Sequence, residues 1–301
     1  MARLKLRNSE WILIAFFAYV AALVPFFPQR PRLSFQPLIV LLIVTLLLGA
    51  LARIESFSQR VISITRDWLP LALTLAAFRE MELFITPNYN HRYELAWMRW
   101  DDIFLREWGL LHAVESLGPL IPFFLELCYL LVYGLGAYCV AVVWLRAGRE
   151  RIDRFYVIYL VGTLLSYALI PYFPTQPPRI AFAGLDTPNY STVLRSTNLF
   201  LLRNATIHVG VFPSAHVSSA FSAAWGLFLL LPKHKRTAWL VLIYAVCVST
   251  ATVYGRYHYG SDVIAGFGVS LIAAAVAFVF RLHDRQTAFR ESEAARNFSA
   301  Y

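Results

Sequence analysis

The chain has 301 residues, of which 58% are hydrophobic and 15% are charged, and its mean hydropathy is +0.56. This composition excludes an ordinary soluble protein and indicates an integral membrane protein. The formal net charge is +9, but the basic residues form short clusters between apolar runs, which is typical of cytoplasmic loops and argues against nucleic-acid binding. The three cysteines all lie within apolar runs, so the sequence predicts neither a disulfide framework nor a cysteine-ligated metal site.

Apolar segments of about 20 residues predict membrane-spanning helices. Eight segments follow one another along the chain, centred on "WILIAFFAYVAALVPFF", "PLIVLLIVTLLLGAL", "LPLALTLAAF", "PLIPFFLELCYLLVYGLGAYCVAVVWL", "FYVIYLVGTLLSYALI", "SSAFSAAWGLFLLL", "TAWLVLIYAVCVSTATVY" and "DVIAGFGVSLIAAAVAFVF". The first follows a basic start but has no small-residue cleavage site after it, so it is predicted to be a retained span. The third is the weakest, because it is short and runs into Arg79, Glu80 and Glu82. The predicted fold is therefore all-α, a polytopic membrane helix bundle of about eight spans.

The distribution of basic residues predicts the orientation of these spans. Of the 27 Lys and Arg residues, 17 lie in the termini and in the alternate connections that share one side of an eight-span bundle. That side is predicted to be the cytoplasm, with both termini on it. The opposite side then receives the long connections 85–117 and 174–212 and the short connection 255–261.

Two histidines and an aspartate in these outer connections suggest chemistry. His258 and Asp262, in "YGRYHYGSDVIAG", are four residues apart; if the last span begins near Tyr257, they share a helical face about 6 Å apart along the axis. The carboxylate would fix the tautomer of the imidazole and leave its other nitrogen free to attack. His216, in "FPSAHVSS" at the outer end of another span, would supply a proton to a leaving group.

Arginines in the same connections predict a phosphate as the group attacked. Arg179, in "PTQPPRIAF", and Arg256, two residues before His258, are the predicted phosphate-binding cations, and Ser214 adds a hydroxyl donor. Arg195 and Arg203 are predicted to be solvated loop charges or headgroup contacts.

Two further charged residues lie inside predicted spans. The sequence also has no motif for a metal or cofactor. For Glu126 and Arg79, buried pairing is predicted rather than catalysis. The sequence contains no HExxH and no paired cysteine motif, so it predicts no metal and no cofactor.

The two histidine-bearing stretches also resemble a known family. "FPSAHVSS" and "ATVYGRYHYGSDVIAG" are similar to the second and third signature motifs of the type 2 phosphatidic acid phosphatase superfamily, over about residues 155–280. The form His-Tyr-x-x-Asp resembles the inositol phosphorylceramide synthase and sphingomyelin synthase-like branch. The resemblance implies a six-helix core and a metal-independent reaction at the non-cytoplasmic side. It assigns His258 as the phosphorylated nucleophile, Asp262 as its partner, His216 as the acid and Ser214 as part of the phosphate site.

The sequence departs from the superfamily pattern at two motifs. In the first, Tyr172 stands where a lysine is usual and Ile180 follows Arg179 in place of proline. In the third, Thr252 stands where an arginine is usual, and Arg256 is a candidate to substitute for it. These departures fit the headgroup-transferring branch, whose first motif reads more like "PTxPPR", better than a plain lipid phosphatase.

The predicted organisation is one membrane domain over residues 1–301. It comprises accessory spans (1–84), an outer amphipathic segment (85–117), a catalytic helix bundle (118–281) and a cytoplasmic tail (282–301). The tryptophan-rich "AWMRWDDIFLREWGLL" is predicted to lie along the membrane interface, either to seat the bundle or to admit lipid.

The predicted function is metal-independent transfer of a phosphoryl or phospho-headgroup on membrane lipids, with the site facing the extracytoplasmic side. The substrate is a membrane lipid with a phosphate headgroup, and either water or a lipid hydroxyl accepts the transferred group. Two alternatives stay open. One is a lipid-binding transporter or flippase, and the other is an inactive scaffold with the same fold. The sequence does not indicate an oligomeric state.

Overall fold

The computed structural model describes residues 6–27, 35–54, 59–84, 91–184, 187–204, 207 and 210–298. The regular structure of these residues is helical, and we number the α-helices in chain order. They are α1 (Asn8–Leu23), α2 (Gln36–Ile54), α3 (Gln59–Glu80), α4 (Arg92–Asp102), α5 (Leu110–Ser116), α6 (Leu120–Ala147), α7 (Ile152–Leu169), α8 (Pro178–Ala181), α9 (Val193–Asn204), α10 (Ala215–Leu230), α11 (Lys235–Tyr254) and α12 (Gly260–Phe298). Residues 85–90 of the predicted outer segment and 299–301 of the predicted tail lie outside the described residues.

Seven helices in the described part of the chain are long and apolar enough to cross a membrane. They are Asn8–Phe26, Gln36–Ile54, Arg60–Phe84, Leu120–Ala147, Arg149–Tyr172, Lys235–Tyr254 and Gly260–Asp284. The remaining predicted span, the sixth in chain order, corresponds to α10, which is apolar but has only 16 residues. The third span, the weakest in the sequence, is helical over 25 residues, because the helix continues through the charged residues at its end. The predicted all-α, multi-pass membrane bundle is confirmed.

The short helix α10 lies in the interior of the bundle. It packs against α6, α7, α11 and α12, and most of its side chains are buried. Small residues allow the closest of these contacts: Ser218 Oγ donates to the carbonyl of Gly162 on α7 at 2.7 Å, and a Cβ on Gly162 would collide with the side chain of Ser222. Because α10 is surrounded by other helices, it positions its first turn inside protein instead of at a lipid surface.

Buried ion pairs attach the first and third helices to the rest of the bundle. Arg66 of α3 donates to Glu10 of α1 at 2.5 Å, and both side chains are buried. Asp67 accepts hydrogen bonds from Arg7 and from Arg149, which lies in the turn before α7. Opposite charges removed from water together hold a fixed geometry, because separating them would leave a buried charge uncompensated. Helices α1 and α3, two of the three predicted accessory spans, are therefore packed directly against the bundle.

The segment after α3 forms an amphipathic helix, as the sequence predicts. On α4 the buried side chains are Glu94, Trp97 and Asp101, while Leu95 and Trp100 are exposed. A π-helical turn and α5 then lead into α6. The buried face of α4 therefore carries two acidic side chains, which need partners among the loops beneath it.

The last helix extends beyond the predicted span. Helix α12 continues to Phe298, through most of the segment predicted as a tail after residue 281. Arg154 of α7 donates two hydrogen bonds of 2.8 Å each to Asp284, just past the apolar part of α12. The end of the bundle that contains Arg154 is opposite the end where α10 and α12 begin, and we call the latter the site end.

Candidate active site

The two predicted histidines meet at the site end of the bundle. His216 lies in the first turn of α10, and His258 lies in the connection between α11 and α12. Nδ1 of His216 is 3.3 Å from Nε2 of His258, and the ring centroids are 5.4 Å apart. Both rings border one cavity. The structure therefore brings together two side chains that are 42 residues apart in the sequence.

Asp262 lies on the other side of the His258 ring. Its Oδ2 atom is 3.2 Å from Nδ1 of His258, and it also accepts the backbone N–H of Tyr259 at 2.9 Å. The expectation that the last span begins near Tyr257 is wrong, since α12 begins at Gly260. His258 precedes the helix and Asp262 is in its first turn, so the carboxylate reaches back to the histidine instead of sharing a helical face with it.

A tight turn at the end of α11 explains the later start of α12. The N–H groups of Tyr257 and His258 both donate to the carbonyl of Thr252, at 2.9 and 3.0 Å. Arg256 has a φ of 59°, a left-handed conformation that reverses the chain. The turn brings His258 to the lining of the cavity before α12 begins.

Ser214 joins the two histidine-bearing segments. Its hydroxyl caps α10 by accepting the N–H of Val217 at 3.4 Å, and its own N–H donates to the carbonyl of Asp262 at 3.0 Å. Helix α12 passes so close that a Cβ on Gly266 would lie 2.5 Å from the Ser214 carbonyl oxygen. Ser214 is fully buried beneath the histidines, where its hydroxyl is used as a helix cap.

Arg179 borders the same cavity as the histidines. It lies on the short helix α8, its guanidinium carbon is 5.9 Å from the ring centroid of Tyr257, and its backbone N–H donates to the Arg256 carbonyl at 3.2 Å. Within the described residues its guanidinium makes no hydrogen bond and no ion pair. A cation held in this position, without a carboxylate partner there, can receive an anionic group of a ligand.

Arg256 lies elsewhere. Its Nη1 donates to Oδ2 of Asp101 at 2.7 Å and its Nη2 to the sulfur of Met98 at 3.0 Å, and the ion pair is buried on both sides. Arg256 is not among the residues that line the cavity. The structure therefore does not bring this guanidinium together with Arg179 around the histidines.

The sequence expectation for Arg195 is wrong. This residue is buried and donates to Glu126 of α6 at 2.9 Å. Glu126 also accepts from Asn198 at 2.7 Å and from the hydroxyl of Tyr257 at 2.6 Å. The expected buried pairing of Glu126 is confirmed. One of its partners is Arg195, a cation that the sequence alone suggests is solvated.

The outcomes for the other two arginines differ. Arg203 is exposed, in agreement with its expected solvation. Arg79 is half-exposed, 4.0 Å from Glu82, and lines the cavity, so the expectation of a buried pair is wrong for this residue.

The cavity has a polar end and apolar walls. Its volume is about 690 Å³. The polar end is formed by the two histidines and Arg179, and the walls come mainly from α3, α6 and α7. Wall residues include Leu71, Thr74, Leu75, Phe78, Val132, Tyr133, Ala137, Thr163 and Ile170. The hydroxyls of Thr74 and Thr163 donate to backbone carbonyls of their own helices at 2.7 and 2.8 Å, so these side chains add no unsatisfied polar group to the wall.

Burial and a nearby cation control the charge of His258. Burial and the positive charge of Arg179 lower the pKa of His258 to about 3, so the imidazole is neutral at physiological pH. With Nδ1 facing the Asp262 carboxylate, the hydrogen-bond pattern assigns the proton to Nδ1 and leaves the Nε2 lone pair directed toward His216. A neutral imidazole with an orienting carboxylate has the properties of a nitrogen nucleophile.

Aromatic and acidic residues that sequence reasoning missed support these groups. Tyr129 of α6 stacks on Tyr257 with a centroid distance of 4.0 Å and lies 5.2 Å from the His216 ring. Asp101 accepts from Arg256 and from the N–H of Gly260. The only sequence signal for Asp101 is its place in the tryptophan-rich "WDD". Among the described residues, no group of three or more His, Cys, Asp or Glu side chains could hold a metal ion. Fold and site together define a multi-pass membrane protein that presents paired imidazoles to a cavity within its helix bundle.

Comparisons with known proteins identify the family. The chain belongs to the PAP2 superfamily, whose family model matches residues 97–276, more than half of the chain. The superfamily resemblance of the two histidine motifs is confirmed, and membership supports a lipid phosphatase-like function. The match begins within α4, so α1, α2 and α3 precede it.

Two curated relatives agree with this membership. Over 165 residues the chain is 28% identical to the bacitracin transport permease protein BcrC of Bacillus licheniformis, a match that covers 54% of this chain and 71% of that protein. Over 128 residues it is 23% identical to a PA-phosphatase related-family protein of Dictyostelium discoideum, with 40% of this chain and 22% of that protein covered. No solved structure gives a significant match.

Proposed function

We propose that the protein moves a phosphate-containing headgroup from a membrane lipid to a hydroxyl, through a covalent phosphohistidine at His258. The observation that carries the proposal is the 3.3 Å distance between Nδ1 of His216 and Nε2 of His258, at the polar end of an apolar cavity. A nucleophile and a proton donor that border one cavity can act on the phosphorus and on the leaving oxygen of the same bound phosphate.

The first step transfers the group to the enzyme. The Nε2 lone pair of His258 attacks phosphorus, an N–P bond forms, and the P–O bond to the leaving group breaks. The imidazolium form of His216 gives a proton to the departing oxygen and becomes neutral. Asp262 accepts the hydrogen bond from Nδ1 of His258 and stabilises the positive charge that develops on that ring. Arg179 binds the negatively charged phosphate oxygens, because no protein carboxylate in the described structure occupies its guanidinium.

The second step releases the group. The acceptor hydroxyl gives its proton to the neutral ring of His216 while its oxygen attacks phosphorus. The N–P bond breaks, and both histidines return to their starting states. The acceptor is water or a lipid alcohol, and no change in oxidation state occurs.

The shape of the cavity supports a lipid as the donor. A hydrocarbon chain attached to a phosphate at the histidines would lie along the apolar walls below them. Leu75 of α3 and Tyr133 of α6 both line the cavity and are also exposed, which supports entry from the bilayer between these helices. Helix α3 precedes the family-matched region, so the α3 side of this entrance lies outside the part of the chain shared with the superfamily model.

The loop charges support an extracytoplasmic site. The clusters of Lys and Arg flank the ends of the helices opposite to the site end, and such clusters usually face the cytoplasm. We therefore propose that both termini are cytoplasmic and that the histidines face the periplasm or a lumen.

The motif forms favour transfer over hydrolysis. The stretch "PTQPPR" and the form His-Tyr-x-x-Asp resemble the sphingolipid synthase-like branch, and the apolar surroundings of the site limit the access of water. We propose a lipid alcohol as the preferred acceptor.

A reconstitution assay tests this function. Purified protein in lipid nanodiscs is given a radiolabelled lipid phosphate or phosphodiester, with and without a lipid alcohol, and the labelled products are separated. The proposal predicts labelled lipid product in the presence of the alcohol, and loss of product in His258→Ala. The exposed His234, at the opposite end of the bundle, provides the matched control His234→Ala, which should react like wild type. Binding of the lipid without any product from wild type would contradict the proposal and favour a transporter or an inactive scaffold.

A further inference from the structure

The amphipathic helix α4 lies across all three loops that carry the candidate site. Oε1 of Glu94 accepts the N–H of Gln176, in the loop that leads to Arg179, at 3.1 Å. The ring of Trp97 stacks on Phe212, which precedes the turn into α10, with a centroid distance of 4.9 Å and an interplanar angle of 21°. The last turn of α4 then reaches the connection between α11 and α12. One buried face of α4 therefore contacts all three loops that carry the candidate site residues.

A single carboxylate of α4 binds the third loop at two points. Oδ2 of Asp101 accepts from the guanidinium of Arg256 at 2.7 Å, and Oδ1 accepts the N–H of Gly260 at 2.9 Å. Both charged side chains are at most 3% exposed. His258 lies midway between Arg256 and Gly260, so Asp101 fixes the chain two residues before and two residues after the predicted nucleophile.

The backbone of this loop needs such support. Arg256 is the only non-glycine residue with a positive φ in the described part of the chain. A side chain disfavours this conformation, which persists only where surrounding contacts determine it. The buried ion pair with Asp101 is such a contact, because leaving the conformation would separate two charges that are shielded from water.

We propose that Asp101 is a positioning residue for the reaction, acting through Arg256 and Gly260 to hold His258 in line with His216. This inference rests on the proposed function of the histidines. It gives Arg256 a role that does not require contact with the substrate. The Arg256 guanidinium supports the loop that carries His258. In this chain Thr252 stands where the superfamily motif has an arginine.

The neighbouring carboxylate offers a matched control. Asp102 is 40% exposed and faces Arg106 at 3.6 Å, whereas Asp101 is buried. Asp101→Asn keeps an oxygen for the Gly260 N–H but loses the charge opposite Arg256. Asp102→Asn makes the same chemical change at the next residue, whose side chain is partly exposed.

The experiment measures steady-state turnover and the initial rate of label incorporation at His258 in nanodiscs, each normalised to folded protein. For Asp101→Asn we expect kcat to fall about 10- to 100-fold, as expected for a misplaced reactive group, with KM within about twofold of wild type. Asp102→Asn should match wild type. The double variant Asp101→Asn/Arg256→Gln should lose no more activity than Asp101→Asn alone, because the two side chains act as one unit.

Three outcomes separate the possible failures. Wild-type kcat and labelling rate in Asp101→Asn would overturn the inference while leaving the proposed function intact. Additive losses in the double variant, or a rise in KM with unchanged kcat, would also overturn it, because Arg256 would then act on the substrate independently. A wild-type protein that forms neither product nor label would instead overturn the proposed function itself.

Discussion

Nε2 of His258 lies 3.3 Å from Nδ1 of His216, while Nδ1 of His258 faces Asp262 at 3.2 Å. The His258 ring is therefore held between a carboxylate on one side and a second imidazole on the other. In the proposed reaction each of these residues has a separate task, and each task can be tested by a different substitution.

The role of His216 can be tested with two leaving groups. A lipid phosphodiester with an alkyl leaving group needs its departing oxygen protonated, whereas an aryl leaving group departs as a stable anion. We expect His216→Ala to lower the rate of the first step by about 10²- to 10⁴-fold with the alkyl substrate and by much less with the aryl substrate. Burst-phase release of the leaving group measures this step. Equal losses with both substrates would show that His216 is not the acid.

In the proposed reaction, Asp262 orients His258 without touching phosphorus. We expect Asp262→Asn to lower kcat by about 10²-fold, and His258→Ala to lower it by more, because the amide still accepts a hydrogen bond but no longer stabilises the developing imidazolium. Turnover is compared after normalising for folded protein by thermal unfolding, since the same carboxylate accepts the Tyr259 N–H. Wild-type turnover in Asp262→Asn would refute the orienting role.

The charge of Arg179 should contribute, with burial, to the acid limit of the reaction. Burial and this cation lower the pKa of His258, whose neutral form is the proposed nucleophile and is present above that pKa. Removing the cation in Arg179→Gln should raise the pKa of His258, so the acid limb of the kcat/KM profile should move to higher pH. KM should also rise, because a phosphate contact is lost. The matched control is Arg203→Gln, on the exposed arginine of α9. An unmoved acid limb with an unchanged KM would exclude Arg179 from the site.

The apolar part of the cavity should discriminate by chain length. Ala137→Phe places a ring in the cavity, and we expect kcat/KM for a long-chain lipid phosphate to fall about tenfold or more while a short-chain analogue is nearly unaffected. Ala72→Phe, at an exposed position on α3 that does not line the cavity, should behave like wild type. Equal effects of Ala137→Phe on both chain lengths would show that the hydrocarbon chain lies elsewhere.

Much of the architecture could be predicted from the sequence, because the free energy of a helix in a bilayer depends on its own composition. Long apolar runs predict the spans, and the alternation of these runs brings His216 and His258 to one end of the bundle. Their motif forms also predict the superfamily correctly. The third span was the most ambiguous, since Arg79 and Glu82 continue a helix that hydropathy alone would end earlier.

The details that were missed depend on partners distant in sequence. Arg195 looks like a loop charge until Glu126, 69 residues earlier, is brought beside it. Arg256 looks like a phosphate ligand, but its partner Asp101 lies 155 residues earlier. Local patterns contain no information about which long-range carboxylate will neutralise a given arginine, and the same limit applies to the left-handed turn that delays the start of α12.

The most direct test of the account is the chemical identity of the enzyme-bound phosphate. Wild-type protein is mixed with a lipid phosphate labelled at phosphorus, quenched within the first turnover, digested and analysed by mass spectrometry. The account predicts an acid-labile, base-stable phosphoramidate on His258 that is absent from His258→Ala and disappears when the acceptor alcohol is added. Product formation without this adduct, or an adduct on any other residue, would contradict it.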